Sequence, residues 1–384
     1  MTVTVCTVWH TMFGMNSFSR ILKWVEGKKS SCSVSVSSHH LSVKPGQILG
    51  SRFEIVKQLG AGKHSTVWLA TSDNGPKAIK ILTNDVTSLQ GQDACELEVL
   101  ERISTAQSTL TNKRLLQLQD HFRITGEHGE HLCLVTEPLG PSLSDLQSTV
   151  ESKRLPLPLV KHVTRQLLEG LQVLHDQCHT VHTDIKPDNI LFMATMWENV
   201  DVNWATFDLV DIVLVDFGTA MPHDTPHARL IQPVALRCPE VITGCVWNCK
   251  ADIWNLGCIV SELITGQHLF KPKAGATWSA EQYHLARIFA TFGTRDVLQN
   301  LLNFFQQGQH FEEYFNNKGL KITAESEPLD AILRTYNVYT PELNTFLGVM
   351  LQILPDDRPS AKSLLVSDWL QLHDDQPFVH TIKL

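Results

Sequence analysis

The chain has 384 residues, of which 43% are hydrophobic, enough to bury a sizeable core. Its net charge of −8 argues against direct binding to nucleic acid or to anionic membranes, and no run approaches the ~18 apolar residues that span a bilayer. The 9 cysteines are scattered singly, without the spacing of a disulfide or zinc framework. We therefore expect a protein of the reducing cytoplasm, the nucleus or both.

The N-terminal residues 1–43 include a Ser-rich stretch without sustained periodicity, and we expect them to form a disordered leader. Glu26 is the only acidic residue among residues 1–30, so a transit peptide is the alternative. One patterned domain is expected at residues 44–372, followed by a C-terminal tail at residues 373–384.

The first part of this domain reads as rich in strands. In Asp93–Ile103, apolar residues recur at three-residue intervals, which predicts a helix. Short β-prone runs separated by turn residues predict strands at Phe53–Leu59, Thr66–Thr71, Pro76–Leu82 and His131–Glu137.

After Pro138 the pattern becomes helical. An apolar stripe with helical period runs from Leu159 to Leu174, and Ala251–Thr265 is apolar nearly all round, which predicts a buried helix. Leu298–Tyr339 is open to two interpretations, a docking surface or extra helices. The expected fold class is α+β, with a small β-rich lobe that carries one key helix and a larger, mainly helical lobe.

Two glycines, Gly60 and Gly62, stand between the first two predicted strands. Because glycine has no Cβ, it lets the backbone approach a phosphate closely or adopt a positive φ. The third glycine of such loops is replaced by Ser65. The pattern predicts a phosphate-binding loop, with an ordinary turn as the alternative.

A lysine, Lys80, lies inside the apolar run of the third predicted strand. An unpaired buried ammonium group is costly, so this residue needs a counter-charge, and Glu96 on the helix that follows can supply one. The alternative is an exposed lysine on an edge strand. The spacing from the two glycines favours a lysine that binds phosphate.

A compact polar loop contains Asp184, Lys186 and Asn189. Phosphoryl transfer requires a carboxylate that orients the hydroxyl, a cation on the γ-phosphate and an oxygen ligand for magnesium, and these three residues match those roles. Further along, Asp216 ends an apolar run and precedes Phe217-Gly218, so it can complete a Mg²⁺ site with Asn189. Taken singly, each motif could be a solvated turn.

In kind and order these motifs resemble those of protein kinases, and residues 44–372 look like one kinase domain. The resemblance implies a bilobal fold, with an N-lobe at 44–138 and a C-lobe at 139–372, and it implies ATP and Mg²⁺ as cofactors. It assigns catalysis to Asp184, Lys186 and Asn189, and the metal to Asn189 and Asp216. It implies that the nucleotide site is formed by Leu59, Gly60, Gly62, Ser65, Val67, Ala78, Lys80, Glu96, Glu137, Leu139, Leu191 and Asp216.

The resemblance also implies structural roles. It makes Thr136 the gatekeeper of the adenine pocket, pairs Glu240 with Arg358, and lets Asp252 brace the catalytic loop. A lysine two residues after Asp184 implies serine/threonine specificity.

Several strings, among them LGAGKHSTVWLA and HTDIKPDNIL, are similar to those of the SR-protein kinases, which phosphorylate serines in arginine–serine repeats. This likeness implies a serine/threonine protein kinase with Arg/Ser-rich splicing-factor substrates. The implied partner is a protein substrate of a monomeric enzyme, with no direct contact to nucleic acid or membrane.

Three departures from the kinase pattern have consequences. Thr183 replaces the arginine that clamps a phosphorylated activation loop, which predicts activity without such phosphorylation. The segment from Asp216 to Glu240, which corresponds to this activation loop, offers only Thr219 and Thr225 as phosphorylatable residues.

Pro233 has neither a hydroxyl nor an N–H where a threonine is usual, so substrate positioning is expected to differ. In Lys273–Phe292, which corresponds to the docking region, Glu281 is the only acid.

Two alternatives belong to other functional classes. A pseudokinase scaffold typically loses the residues equivalent to Lys80, Asp184 or Asp216, and all three are present. A small-molecule kinase of similar fold is disfavoured by Cys238-Pro239-Glu240 and by Asp252, which support the peptide-binding side of a kinase C-lobe.

Overall fold

A computed structural model of the protein describes residues 39–92, 95–108, 110, 113–193, 210–223, 229–292, 298–316 and 319–371. Most of the predicted leader, the whole predicted tail and Thr225 lie outside these residues. The described chain forms two compact units: a first unit up to Pro141 together with Leu191–Met193, and a second unit with the remainder. None of the described helices is long and apolar enough to cross a membrane.

The first unit is built on an antiparallel six-stranded sheet with the order β1-β2-β3-β4-β6-β5. Two helices accompany it, α1 (Asn84–Ser88) and α2 (Glu96–Ala106), so the predicted helix begins three residues later than expected. All four predicted strands are confirmed to within a few residues. The strands are β1 (Ile48–Leu49), β2 (Phe53–Ala61), β3 (Ser65–Ser72), β4 (Gly75–Leu82), β5 (Leu118–Gly126) and β6 (Gly129–Thr136).

One face of this sheet is the core of the first unit, and it includes Trp68, Ile79 and Val135. Because side chains alternate across a strand, the neighbouring residues Val67, Ala78, Lys80 and Thr136 belong to the opposite face. Ala78 pairs with Thr136, and Val67 pairs with Lys80, across adjacent strands. The sheet therefore collects predicted site residues on the face opposite this core.

Residues 39–43 correct one boundary, since the sequence assigned them to the disordered leader. Val43 is buried in the core of the sheet and Leu41 packs against it. The apolar side chains at alternate positions explain why this short segment follows the sheet instead of solvent.

The second unit is mainly helical, and its central helix α6 is buried all round as predicted: apart from Lys250 and Glu262, all its residues are buried. It ends at Gly266, where φ is +73° and an added Cβ would lie 2.2 Å from the Ser152 carbonyl oxygen, so only glycine fits. The helices are α3 (Leu143–Thr149), α4 (Leu157–Asp176), α5 (Pro239–Thr243), α6 (Lys250–Thr265), α7 (Ala280–Phe292), α8 (Leu298–Phe305), α9 (Phe311–Tyr314), α10 (Leu329–Thr335), α11 (Pro341–Met350), α12 (Ala361–Leu364) and α13 (Asp368–Gln371).

Short strands lie between these helices, and some of them flank the loops that carry predicted site residues. They are β7 (Leu139–Ser142), β8 (Thr180–Val181), β9 (Ile190–Met193), β10 (Ile212–Leu214), β11 (Met221–Pro222), β12 (Phe315–Asn316) and β13 (Gly319–Leu320). Strand β8 pairs antiparallel with β11, which aligns the chain before the polar loop with the chain after Asp216.

The region Leu298–Tyr339 contains helices α8 to α10, as the second interpretation predicted. Phe305 and Phe315 are fully buried and stack with their ring centroids 5.4 Å apart, and Phe289 of α7 packs against both. These helices are therefore part of the folded unit.

Candidate active site

The turn between β2 and β3 carries the two glycines. The Gly62 N–H donates to the Ser65 carbonyl oxygen at 2.9 Å and closes the turn. An added Cβ at Gly60 would meet nothing within 4 Å, one at Gly62 would meet only the Ser65 carbonyl at 3.9 Å, and neither residue has a positive φ. Packing therefore does not require glycine here. The open space in front of the backbone fits a ligand phosphate.

Lys80 pairs with Glu96, as the sequence predicted, with 2.5 Å between Nζ and Oε1. Both side chains are largely withdrawn from solvent, with 19% and 4% exposed. The edge-strand alternative is wrong, because β4 lies between β3 and β6 inside the sheet. A partly buried ammonium group that a carboxylate fixes in place is suited to attract the charge of a phosphate.

The remaining site residues of the first unit are apolar or partly buried. Ala78 and Leu139 are buried, whereas Leu59, Ser65, Val67 and Leu191 are half-buried. Burial raises the pKa of Glu137, and the nearby ammonium groups of Lys113 and Lys77 oppose this shift.

In the second unit the polar loop is held by Asp252, a fully buried residue in the first turn of α6. Its carboxylate accepts hydrogen bonds from the His182 N–H at 2.8 Å, the Thr183 N–H at 3.0 Å and His175 Nε2 at 2.9 Å. These bonds satisfy the buried charge and hold Thr183 at a φ of +72°, a left-handed conformation that is costly for threonine. The predicted bracing role of Asp252 is therefore confirmed.

Asp184, Lys186 and Asn189 form one hydrogen-bonded cluster. The Lys186 ammonium donates to Asp184 Oδ2 at 2.6 Å, and Asn189 Nδ2 donates to the Asp184 carbonyl at 2.9 Å and to Oδ2 at 3.1 Å. Among the described residues, the side-chain bonds to this carboxylate fall on Oδ2. Asp184 is half-buried, so its Oδ1 can accept a hydroxyl proton.

Asp216 is fixed next to this cluster by its neighbour Val215. The Val215 N–H donates to the Asn189 carbonyl at 2.9 Å, and its carbonyl accepts from His182 Nε2 at 3.0 Å. His182 Nδ1 accepts from the Asp184 N–H at 3.2 Å, so the ring is the neutral Nε2–H tautomer. Phe217 is fully buried and its ring lies 5.0 Å from that of His182.

A divalent cation fits this donor set. Asn189 donates hydrogen bonds to Asp184 through its side-chain nitrogen Nδ2. The side-chain oxygen Oδ1 of Asn189 is thereby directed to another partner. A carboxylate and an amide oxygen are ligands that Mg²⁺ prefers.

The described part of the segment between Asp216 and Glu240 is held by side-chain hydrogen bonds. Thr183 Oγ1 donates to the Thr219 carbonyl at 2.8 Å. Gln232, at a φ of +69°, is buried: its Nε2 donates to the Ala251 carbonyl at 2.9 Å and to Asn255 Oδ1 at 3.1 Å, and its Oε1 accepts from the Cys238 N–H at 2.9 Å. This anchoring role of Gln232 was not predicted. The sequence signal that could have indicated this role is a long polar side chain between Ile231 and Pro233.

Glu240 and Arg358 pair as predicted. The guanidinium contacts the carboxylate through two bonds of 2.6 and 2.8 Å, and both side chains have no exposed surface. The same guanidinium lies 4.9 Å from the centroid of the Trp254 ring. Arg358 thus joins the C-terminal part of the unit to the end of the segment that begins at Asp216.

Acidic residues gather beyond this segment in a way that the sequence did not reveal. Glu281 at the start of α7 lies 3.9 Å from the buried Arg237. Gln282 donates to the Glu313 carbonyl at 3.0 Å, which brings helix α9 with the exposed Glu312 and Glu313 beside the start of α7. We call Glu281, Glu312 and Glu313 the acidic patch.

Comparison with known proteins identifies the family. The protein kinase domain matches residues 53–370. A serine/threonine-protein kinase of the SRPK type from Physarum polycephalum is 31% identical, with 88% of this chain and 89% of that protein covered. A serine/threonine protein kinase of Aspergillus fumigatus is 30% identical, over 85% of this chain and 86% of its own length. A crystal structure of a kinase domain shares the fold, with a TM-score of 0.69 at 24% identity, over 86% of this chain and 99% of that one. The chain therefore belongs to the protein kinase family and is a serine/threonine protein kinase that resembles the SR-protein kinases.

Proposed function

We propose that this kinase is catalytically active and transfers the γ-phosphate of Mg·ATP to serine hydroxyls in Arg/Ser-rich protein segments. The observation that carries the proposal is the bonded cluster of Asp184, Lys186 and Asn189, fixed next to Asp216.

Each residue of the cluster has a defined task. Asp184 accepts the hydrogen bond of the attacking hydroxyl and aligns its oxygen, while the Lys186 ammonium stabilises negative charge on the transferred group. Asn189 and Asp216 would hold Mg²⁺, which when bound neutralises charge on the phosphates. In the first unit, the bare backbone at Gly60 and Gly62 would receive phosphate oxygens.

Lys80 would bind phosphate oxygens as well, since its pairing with Glu96 holds the ammonium group in a fixed position inside the sheet. The buried Ala78 and Leu139 and the half-buried Val67 and Leu191 offer apolar surface to an adenine ring.

Pro233 does not remove the basis for activity. Threonine at this position would contribute a hydroxyl to Asp184 and Lys186, but here those two side chains contact each other directly at 2.6 Å. Asn189 supplies the further hydrogen bond to the Asp184 carboxylate at 3.1 Å. The cluster is therefore organised without a hydroxyl at position 233.

The Arg/Ser-rich substrate is supported by the acidic patch as well as by the similarity to SR-protein kinases. Glu312 and Glu313 are exposed, and 38% of the Glu281 side chain is accessible. Carboxylates are the natural partners of guanidinium groups, with which they form strong paired hydrogen bonds.

The test is phosphate transfer from labelled Mg·ATP to an arginine–serine repeat peptide and to a generic basic protein, with Asp184→Asn in parallel. We expect labelling of the repeat peptide and a loss of about 10²-fold or more in Asp184→Asn, because general-base catalysis contributes on that order. ATP binding without labelling of either substrate would favour the pseudokinase alternative. Labelling of the generic protein alone would remove the Arg/Ser-rich substrate and leave the kinase.

The acidic patch has its own test. Glu312→Gln/Glu313→Gln should raise KM for the repeat peptide and leave KM for ATP unchanged. The matched control is Glu127→Gln/Glu130→Gln, which removes two exposed carboxylates at the β5–β6 turn of the first unit. Equal effects of the two double variants would mean that only overall charge matters.

We also propose that activity does not depend on phosphorylation of the segment after Asp216. The bonds of Gln232 and the Thr183–Thr219 contact fix the described part of this segment without a phosphate. Phosphatase-treated enzyme should keep its activity, and a loss of most of it would contradict the proposal.

A further inference from the structure

The chain just before β1 is anchored to the first unit at two points. On one side, the His39 carbonyl accepts from the Asn84 N–H at 3.2 Å, and its ring nitrogen Nδ1 lies 3.1 Å from the Asp85 carboxylate at the start of α1. On the other side, Val43 is buried in the sheet core. The backbone of residues 39–43 is therefore held in a defined course along the sheet.

Between these anchors, the imidazole of His40 reaches the glycine-rich loop, residues 60–65. Its Nε2 lies 3.1 Å from the Gly62 carbonyl oxygen. A carbonyl only accepts hydrogen bonds, so this nitrogen must carry a proton and donate.

Two backbone hydrogen bonds of the loop accompany this contact. The Gly62 N–H closes the turn onto the Ser65 carbonyl, and the His64 carbonyl accepts from the Thr83 N–H at 3.0 Å. The open space at both glycines means that side-chain packing does not fix the loop there. Hydrogen bonds must therefore hold it, and the one from His40 comes from outside the residues 53–370 that match the kinase family.

We infer that His40 is a positioning residue that holds the glycine-rich loop ready for ATP and thereby sets the affinity for the nucleotide. The inference rests on the proposed binding of ATP phosphates by this loop. A loop that a hydrogen bond already fixes loses less conformational entropy when a ligand orders it. This smaller loss of entropy makes the binding tighter. His40 itself need not contact the nucleotide.

Steady-state kinetics of the full chain test the inference. A typical hydrogen bond contributes a net ~1 kcal/mol, so His40→Ala should raise KM for ATP by roughly 3- to 10-fold with kcat changed less than about 2-fold. His40→Gln can place an amide N–H near the position of Nε2 and should restore KM. His39→Ala is the matched control, because this neighbour bonds α1 and should leave KM for ATP unchanged.

Hydrogen–deuterium exchange of the nucleotide-free protein gives a readout that needs no catalysis. His40→Ala should speed exchange of the Gly62 amide and its loop neighbours, while His39→Ala and His40→Gln should not. Unchanged loop exchange in His40→Ala, or equal KM changes in His39→Ala and His40→Ala, would overturn the inference even in a fully active kinase. Faster loop exchange in a chain that fails to bind ATP would support the tether and reject the nucleotide function.

Discussion

The glycine-rich loop and the catalytic loop differ in how their surroundings hold them. The first has few contacts and open space around it, and the second is held by buried side chains. Residues 60–65 are held by backbone hydrogen bonds and by the His40 imidazole, with open space around both glycines. Residues 182–189 are held by the fully buried Asp252, by a His182 ring bonded at both nitrogens, and by the contacts within their own polar cluster.

The difference fits the task that we propose for each loop. A group that stabilises developing charge must be in place before the reaction, because reorganising it during the reaction costs free energy. A loop that admits and releases a nucleotide must instead open with little cost, so it belongs to the less stable part of a protein. We expect substitutions around the catalytic loop to reduce stability and kcat, and those in the glycine-rich loop to change KM for ATP.

The largest effect is expected for Arg358→Met. It leaves Glu240 buried without its cation, which typically lowers the free energy of unfolding by about 3–5 kcal/mol. Urea denaturation measures the loss. Arg123→Met, which breaks the exposed pair with Glu130, is the control and should cost less than ~1 kcal/mol. Similar losses in both variants would contradict the role assigned to burial.

Asp252→Asn should have the next largest effect. The amide keeps one acceptor oxygen but loses the charge, so donors among His175, His182 and Thr183 lose hydrogen bonds. We expect the free energy of unfolding to fall by about 2 kcal/mol, with a decrease in kcat and little change in KM for ATP. An effect on KM alone would mean that Asp252 does not set the catalytic loop.

A pH-dependent effect is expected at His284, a buried residue of α7. Burial, and to a lesser extent Arg237, lowers its pKa from 6.5 to about 3, so the folded protein holds the ring neutral. The unfolded chain binds a proton below its ordinary pKa, so stability is full above that value and falls as pH decreases. Between pH 7.5 and 5 this residue should account for a loss of about 2 kcal/mol, and His284→Gln should remove that part of the pH dependence.

His268→Gln is the control of opposite sign. A hydrogen bond to Glu262 raises the pKa of His268, so its contribution to stability is present at low pH and is lost as pH rises through the folded-state pKa. Its replacement should therefore destabilise the protein more at pH 5 than at pH 8. Denaturation series at several pH values separate the two variants, and equal pH slopes for both would refute the assignments.

The smallest effect on stability is expected for Gly62→Ala, since the new Cβ would meet only one atom, at 3.9 Å. The free energy of unfolding should change by less than about 0.5 kcal/mol. KM for ATP should nevertheless rise, because the methyl group would occupy the space in which we propose that phosphate binds. A large loss of stability would show that packing does require glycine there.

The sequence predicts the parts of this protein whose signal lies within a short segment. The buried helix Ala251–Thr265 was predicted from its uniform hydrophobicity, and the Asp184–Asn189 loop from its chemistry. Strand β5 was not predicted, because its exposed face carries polar and charged residues such as His121 and Arg123, which interrupt the apolar signal.

Contacts between residues that are far apart in the sequence could not be predicted from local sequence patterns. The bonds of Gln232 to Ala251 and Asn255 exist only once the segment folds onto α6. The acidic patch unites Glu281 with residues about 30 positions later, and the contact of His40 with Gly62 spans 22 positions. The pairings of Lys80 and Glu240 were anticipated, the second only through the resemblance to kinases.

The separation between Glu240 and Arg358 also bears on the timing of protein synthesis. The two residues are 118 positions apart. At about 5–20 residues per second, roughly 6 to 24 s pass on the ribosome between the synthesis of the carboxylate and that of its cation. During this interval the second unit cannot close around Glu240 without burying an unpaired charge. The second unit of the nascent kinase can therefore complete its folding around Glu240 only after Arg358 has been translated.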